Sequence, residues 1–127
     1  MRRLAILALT LTLSITLAGC SSLDALGPSG SVEGTYSLVL INGSRLPYRF
    51  STNVTLVSDD LTLYRDGTYE DYSRYASGSS RVEEGYYTSR NGSLVFEPYS
   101  GGSYQGAITG RVLTQIVSGY EQRFEKQ

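Results

Sequence analysis

The chain has 127 residues, 11 of them basic and 12 acidic, for a net charge of −1. That length suits one domain with a single core, and that charge argues against nucleic acid as a partner, because phosphate binding needs a basic surface. Histidine is absent, which removes the usual general base, the Ser-His and Cys-His nucleophile pairs and the commonest zinc ligand.

The first predicted element is not part of a fold. Met1-Arg2-Arg3 precedes LAILALTLTLSITLA, Leu4 to Ala18. A charged start, an apolar run and small closing residues make the layout of an export signal. The run of 15 residues falls short of the roughly 20 that a permanent transmembrane helix needs. Thr10, Thr12, Ser14 and Thr16 dilute it further. A cleaved signal is therefore expected over residues 1–19.

Leu17-Ala18-Gly19-Cys20 resembles the lipobox of bacterial lipoproteins. The resemblance implies a diacylglyceryl group on the Cys20 thiol, cleavage between Gly19 and Cys20, and acylation of the new amino group. Each buried methylene contributes about 0.8 kcal/mol, so two or three chains make a durable membrane anchor. Cys20 is the sole cysteine, so no disulfide can form within the chain and the fold must stand on packing. The implied location is the cell envelope. In the lipoprotein family an Asp after the cysteine favours retention at the inner membrane, so Ser21 points to the outer one, facing the periplasm, in a Gram-negative host. Loss of Arg2 and Arg3 with the signal leaves about −3 of charge, which argues against electrostatic adhesion to anionic lipid.

From Ser21 to Val32 the chain reads SSLDALGPSGSV, small and polar, broken by Gly27, Pro28 and Gly30. With Cys20 it forms an expected flexible linker, residues 20–32, whose extended reach is on the order of 40 Å. The domain proper is expected over 33–127.

Short β-favouring runs then alternate with turn signals. GTYSLVLI (34–41) ends at Asn42-Gly43, a strong hairpin dipeptide. After RLPYRF come NVTLVS (53–58) and LTLY (61–64), then Asp66-Gly67 and the returning TYEDYSRY (68–75). RVEEGYYTS (81–89) runs to Asn91-Gly92 and SLVFE (93–97) comes back. SYQGAIT (103–109), RVLTQIV (111–117) and YEQRFEK (120–126) complete the chain. About eight or nine strands at this spacing, with no amphipathic helix, predict an all-β fold, an antiparallel barrel or sandwich, and the short links favour up-and-down order. Leu61 with Leu63, Leu94 with Phe96, and Tyr104 with Ile108 are the expected inward sets. GTYSLVLI is apolar on both faces and predicts a doubly buried strand; TYEDYSRY carries charge on both and predicts an edge or rim strand.

GTYSLVLINGSRLP, LTLYRDGTYED, EGYYTSRNGSLVFEP, YQGAITGRVLT and YEQRFEK together resemble the lipocalin-like domains of small bacterial lipoproteins, over about residues 33–126. The resemblance implies the barrel: small, closed or nearly closed, an antiparallel up-and-down β-barrel of about eight strands behind the signal peptide and tether. Larger lipocalins carry G-x-W on the first strand and an arginine on the last that packs over the Trp. Gly34 and Tyr36 match the first pattern and Arg123 the second, which implies an Arg123–Tyr36 cation–π contact closing the barrel base, of order 0.5–2 kcal/mol. A barrel of eight strands is wide enough either to be filled by side chains or to hold one small ligand.

Seven tyrosines fall between Tyr69 and Tyr104. Cross-strand aromatic pairing, about 0.2–1 kcal/mol per pair, is the plainer role. A ligand surface for sugar rings or peptides is the other, with Tyr69, Tyr86 and Tyr104 as its candidates. Glu83-Glu84, Asp59-Asp60 and Glu70-Asp71 are sequence neighbours that point to opposite faces of a strand, so turn and surface roles are expected rather than a glycosidase pair. No spaced Asp/Asn/Gly calcium loop is present. The N-x-S/T triplets at Asn42, Asn53 and Asn91 are discounted, two being hairpin turns.

These readings converge on a chain with no catalytic residue, no metal and no cofactor beyond the lipid on Cys20. The expectation is a non-enzymatic binding module for a small amphipathic or hydrophobic ligand or an envelope component. The alternative is a structural or assembly accessory that contacts an envelope protein and has no pocket.

Overall fold

The computed structural model describes residues 31–127. The expected signal segment, the Gly19–Cys20 cleavage point, the lipidated Cys20 and nearly all of the linker lie outside that range.

Ten strands follow one another without a helix: β1 Gly34–Ile41, β2 Ser44–Arg45, β3 Tyr48–Ser51, β4 Val54–Leu63, β5 Thr68–Tyr75, β6 Ser80–Arg90, β7 Ser93–Pro98, β8 Tyr104–Thr109, β9 Val112–Val117 and β10 Tyr120–Lys126. From β4 to β10 each strand pairs antiparallel with the next, and β1 pairs with both β10 and β4. Eight strands therefore close into an up-and-down barrel, the order that the short links favour and the closure that the family resemblance implies. The short β2 and β3 lie outside the ring, paired to β1 and β4. Closure removes the open edges that an antiparallel sheet would otherwise expose.

Asn42 (φ 48°) and Asn91 (φ 51°) adopt the left-handed conformation that tight hairpins require and that Asn tolerates best among residues with a side chain. Along the walls, alternate residues point inward. Tyr36, Leu61, Leu63, Tyr69, Leu94, Phe96, Leu113 and Phe124 are all buried and pack as one cluster. Each such side chain contributes about 1.5–3 kcal/mol through removal from water. They fill the barrel toward the end where β1 begins and β10 stops.

Three expectations change. The runs 53–58 and 61–64 are one ten-residue strand, β4, because Asp59 and Asp60 do not break it. Asp59 turns inward onto Ser73, while Asp60 turns outward and accepts from Ser37 Oγ at 2.7 Å. The TYEDYSRY run, β5, is no rim strand. It pairs along its length with β4 and β6, and its inward row is Tyr69, Asp71, Ser73 and Tyr75. β1 is not buried on both faces either: a register shift between Leu38 and Leu40 swaps its inward parity, so that Leu38 and Ile41 both reach the core.

The described chain starts and ends at the filled end. Gln127 N donates to Thr35 O at 2.9 Å and Lys126 Nζ to Ser31 O at 2.8 Å.

Candidate functional site: the barrel mouth

The opposite end of the barrel is hollow. A cavity of about 350 Å3 opens there. Its wall includes apolar and aromatic side chains, Phe50, Leu56, Tyr75, Val117 and Tyr120, above a polar floor of Asp59, Asp71, Ser73, Arg81, Glu83, Tyr104 and Gln122. The outlying β3 extends the wall: Phe50 packs edge-on against Tyr120 at 4.9 Å and against Tyr48 at 5.0 Å. Pairs of this geometry add about 0.5–1.5 kcal/mol beyond burial, so the rim is held firmly.

Register brings the acidic floor together. Asp71 lies directly across from Glu83, and Asp59 across from Ser73. One member of each neighbouring acidic pair thus points into the barrel from β4, β5 and β6 in turn, while Asp60, Glu70 and Glu84 are on the outward parity. Expectation held for the opposite faces and failed for the surface role.

Glu83 is well satisfied. Tyr69 and Tyr104 each donate a phenolic O–H to its Oε1 at 2.9 Å, and Arg81 lies 3.3 Å from its Oε2. Burial raises both phenols' pKa, which keeps them protonated as donors. Their rings are fixed by Phe96, which Tyr104 stacks on at 5.0 Å and Tyr69 meets edge-on at 5.1 Å. Gly85 makes room for this. It sits opposite Tyr69, and a Cβ there would strike the Glu97 carbonyl and approach Tyr69 Cε1 to 2.8 Å.

Asp59 and Asp71 are not satisfied. Asp59 is only 5% exposed; its Oδ2 accepts from Ser73 Oγ at 2.9 Å, but Oδ1 has no partner, and neither does Asp71 Oδ1. Burial raises both carboxyls, and the hydrogen bond to Asp59 and the charges of Asp59 and Glu83 raise Asp71 further. Two carboxyls so placed hold one proton between them near neutral pH. Chemically, the pair can exchange a proton or take a positively charged donor. Among the described residues, no group of three or more His, Cys, Asp or Glu side chains is placed to hold a metal ion.

Of the tyrosine candidates, Tyr69 and Tyr104 meet at Glu83 inside the barrel. Tyr86 does not join them; it is 56% exposed on the outer wall, edge-on to Tyr99 at 5.1 Å. Tyr36 is buried at the filled end and donates to Val32 O at 2.7 Å. The cation over its ring is Lys126, with Nζ 5.6 Å from the centroid, and not Arg123. Tyr36 is paired with Lys126 across β1 and β10, whereas Arg123 lies opposite Leu40 and faces outward, 3.6 Å from Glu125. Gly34 (φ +136°) admits the lysine stem: a Cβ there would lie 2.7 Å from Lys126 Cε. A shallow depression of about 320 Å3 on the outer wall includes Ala107, Thr114, Ile116 and Glu121 in its lining.

The residues that sequence reasoning missed are Asp59, Asp71 and Glu83 as a unit, with Ser73 and Gln122. Their signal was present in the alternation Tyr69-Asp71-Ser73-Tyr75 and Arg81-Glu83-Gly85-Tyr87, one face of each strand. Compared with protein-family models, curated proteins and solved structures, the chain matches none.

Proposed function

We propose that the chain is a lipid-anchored, extracytoplasmic, non-enzymatic binding module that takes a small amphipathic ligand in the barrel mouth. The observation that carries this reading is the cavity of about 350 Å3, open at one end over a solid core. Small-molecule sites run from about 300 to 1,000 Å3, with mostly apolar walls and a few placed polar groups. Here the rim of Phe50, Tyr75 and Tyr120 is apolar, but Asp59, Asp71, Ser73, Arg81, Glu83 and Gln122 make the site more polar than most, which suits an amphipathic ligand rather than a wholly apolar one. The lipobox at Leu17–Cys20 supplies the proposed anchor, in the envelope and facing the periplasm where there is an outer membrane.

Native mass spectrometry of the full chain, extracted from its own membrane in mild detergent, tests both halves. The expected spectrum shows acyl mass that disappears in Cys20→Ser, and a bound small molecule at one per chain. A bare polypeptide mass would overturn the anchor; an empty barrel in every preparation would overturn the ligand.

One feature of the outer wall favours the accessory reading instead. Tyr86 and Tyr99 are each more than half exposed and meet edge-on at 5.1 Å, an outward aromatic pair suited to contact with an envelope protein. Crosslinking in cells at Tyr86 that captures a defined partner, with the mouth empty, would favour that reading.

A further inference from the structure

The polar floor of the mouth is short of donors, and this limits what can sit there. Asp59 Oδ1 and Asp71 Oδ1 are buried acceptors with no partner, and both residues line the cavity. A buried acceptor without a donor forfeits its bond to water and gains nothing in return, and the loss is larger when the group is charged. These two oxygens are themselves enclosed, but the carboxyls they belong to line the cavity, so a ligand that brings N–H groups suits this floor and a carboxylate or phosphate does not.

The charge points the same way. The groups facing the Asp59–Asp71 pair are Glu83 and Arg81 on β6, Ser73 and Tyr75 on β5, Tyr104 on β8, and Tyr120 and Gln122 on β10. Arg81 is the one cation among them, and it is already set on Glu83. With one proton on the Asp59–Asp71 pair, the pair and Glu83 carry two negative charges against one guanidinium, and Arg81 is itself largely exposed, so the buried part of the mouth is electronegative.

Resting on the binding-module reading above, we propose that the mouth is a site for a small organic cation: an ammonium whose N–H groups go to Asp59 and Asp71, carried on a short apolar or aromatic body lying between Phe50, Tyr75 and Tyr120. The ammonium takes the place of the proton that the carboxyl pair shares, so binding releases that proton to solvent. The Tyr75 and Tyr120 rings offer further attraction to the cation. Discrimination comes from the floor: an uncharged ligand of equal shape leaves the pair as it was.

Isothermal titration of the full chain in mild detergent tests this with phenethylamine, and with phenethyl alcohol as its uncharged counterpart. The amine is expected to bind at least roughly tenfold tighter than the alcohol at about pH 8, a difference of about 1.4 kcal/mol. Its affinity should fall by at least about tenfold toward pH 5, where protons compete for the pair. Heats measured in buffers of different ionisation enthalpy should show a proton released. Asp71→Asn should lose the amine preference; thermal melting checks that the variant folds, and the wild-type pH and buffer series stands without it. Equal binding of alcohol and amine, or an amine affinity flat with pH, overturns the cation site and leaves a binding module of another specificity. If neither probe binds while native mass spectrometry finds a different occupant, the cation site alone fails. If neither binds and the barrel is always empty, both readings fail.

Discussion

Asp71→Asn should make the protein more stable at alkaline pH while leaving it nearly unchanged at mildly acidic pH. Burial and the nearby charges of Asp59 and Glu83 raise the Asp71 pKa in the fold; in the unfolded chain it deprotonates at its ordinary value near 3.9. Between those limits the folded state holds one more proton, so stability falls as pH rises, by at most about 1.4 kcal/mol per pH unit. The contribution is complete below about pH 4 and is lost progressively above it. Over three units, from about pH 5 to pH 8, the ceiling is roughly 4 kcal/mol, and water entering the mouth lowers it to about 2–4. Asp59, the other member of the pair, is raised too and belongs to the same coupled titration, and the chain has no histidine to add to it. The carboxyls that the fold depresses, Glu33 through Arg65 and Asp66 through Thr68, lose their contribution only as pH falls toward and below about 4. The amide that Asp71→Asn introduces still donates to Asp59 but does not titrate. Urea unfolding followed by far-UV dichroism at pH 5, 6, 7 and 8 reads the slope directly. A wild-type stability that is flat across this range, or an unchanged slope in the variant, would refute the shared proton.

Lys126→Ala should lower stability by about 0.5–1 kcal/mol through loss of the cation over Tyr36, while Arg123→Ala stays within about 0.5 kcal/mol, as exposed positions do; urea midpoints separate the two, and the reverse order would restore the lipocalin-type pairing. Tyr104→Phe keeps the stack on Phe96 but removes one of the two phenolic donors to Glu83 Oε1. It should cost about 1–2 kcal/mol in the same assay, and no loss would mean that Tyr69 alone satisfies the carboxylate. Gly85→Ala places a methyl against the Glu97 carbonyl and the Tyr69 ring, so a loss of about 1–3 kcal/mol is expected from overpacking. A neutral result in thermal melting would show that Tyr69 is free to move.

Much of the wall was legible because hairpin chemistry is local. Asn42-Gly43 and Asn91-Gly92 announce their turns, and the alternation of Leu61 with Leu63 and Leu94 with Phe96 orients two strands without any tertiary knowledge. The errors arose where a residue's role depends on a strand far away in sequence. Asp59-Asp60 reads as a break until Ser73 and Ser37 appear on either side of β4 as partners. β5 reads as a rim because a charged inward row is abnormal for a core, and only the hollow end of the barrel makes it tolerable. The same holds for Arg123: its place on the last strand fits the family pattern, but the registry of β10 on β1 delivers Lys126 to Tyr36 instead. Nothing within the span of one strand encodes that registry. The acidic floor was missed for a related reason, since neighbours along the chain were paired rather than alternate residues on adjacent strands.

Residues 31 and 32 are tied to Lys126 and Tyr36 at the filled end, and this gives the molecule a polarity. Strands of eight residues rise about 3.3 Å per residue and tilt by about 35–45° in a barrel, so the far opening stands roughly 20 Å beyond residues 31 and 32. A segment tethered ahead of residue 31 would therefore pull on the plugged base and leave the aperture unobstructed, whichever way the domain turns on its linker.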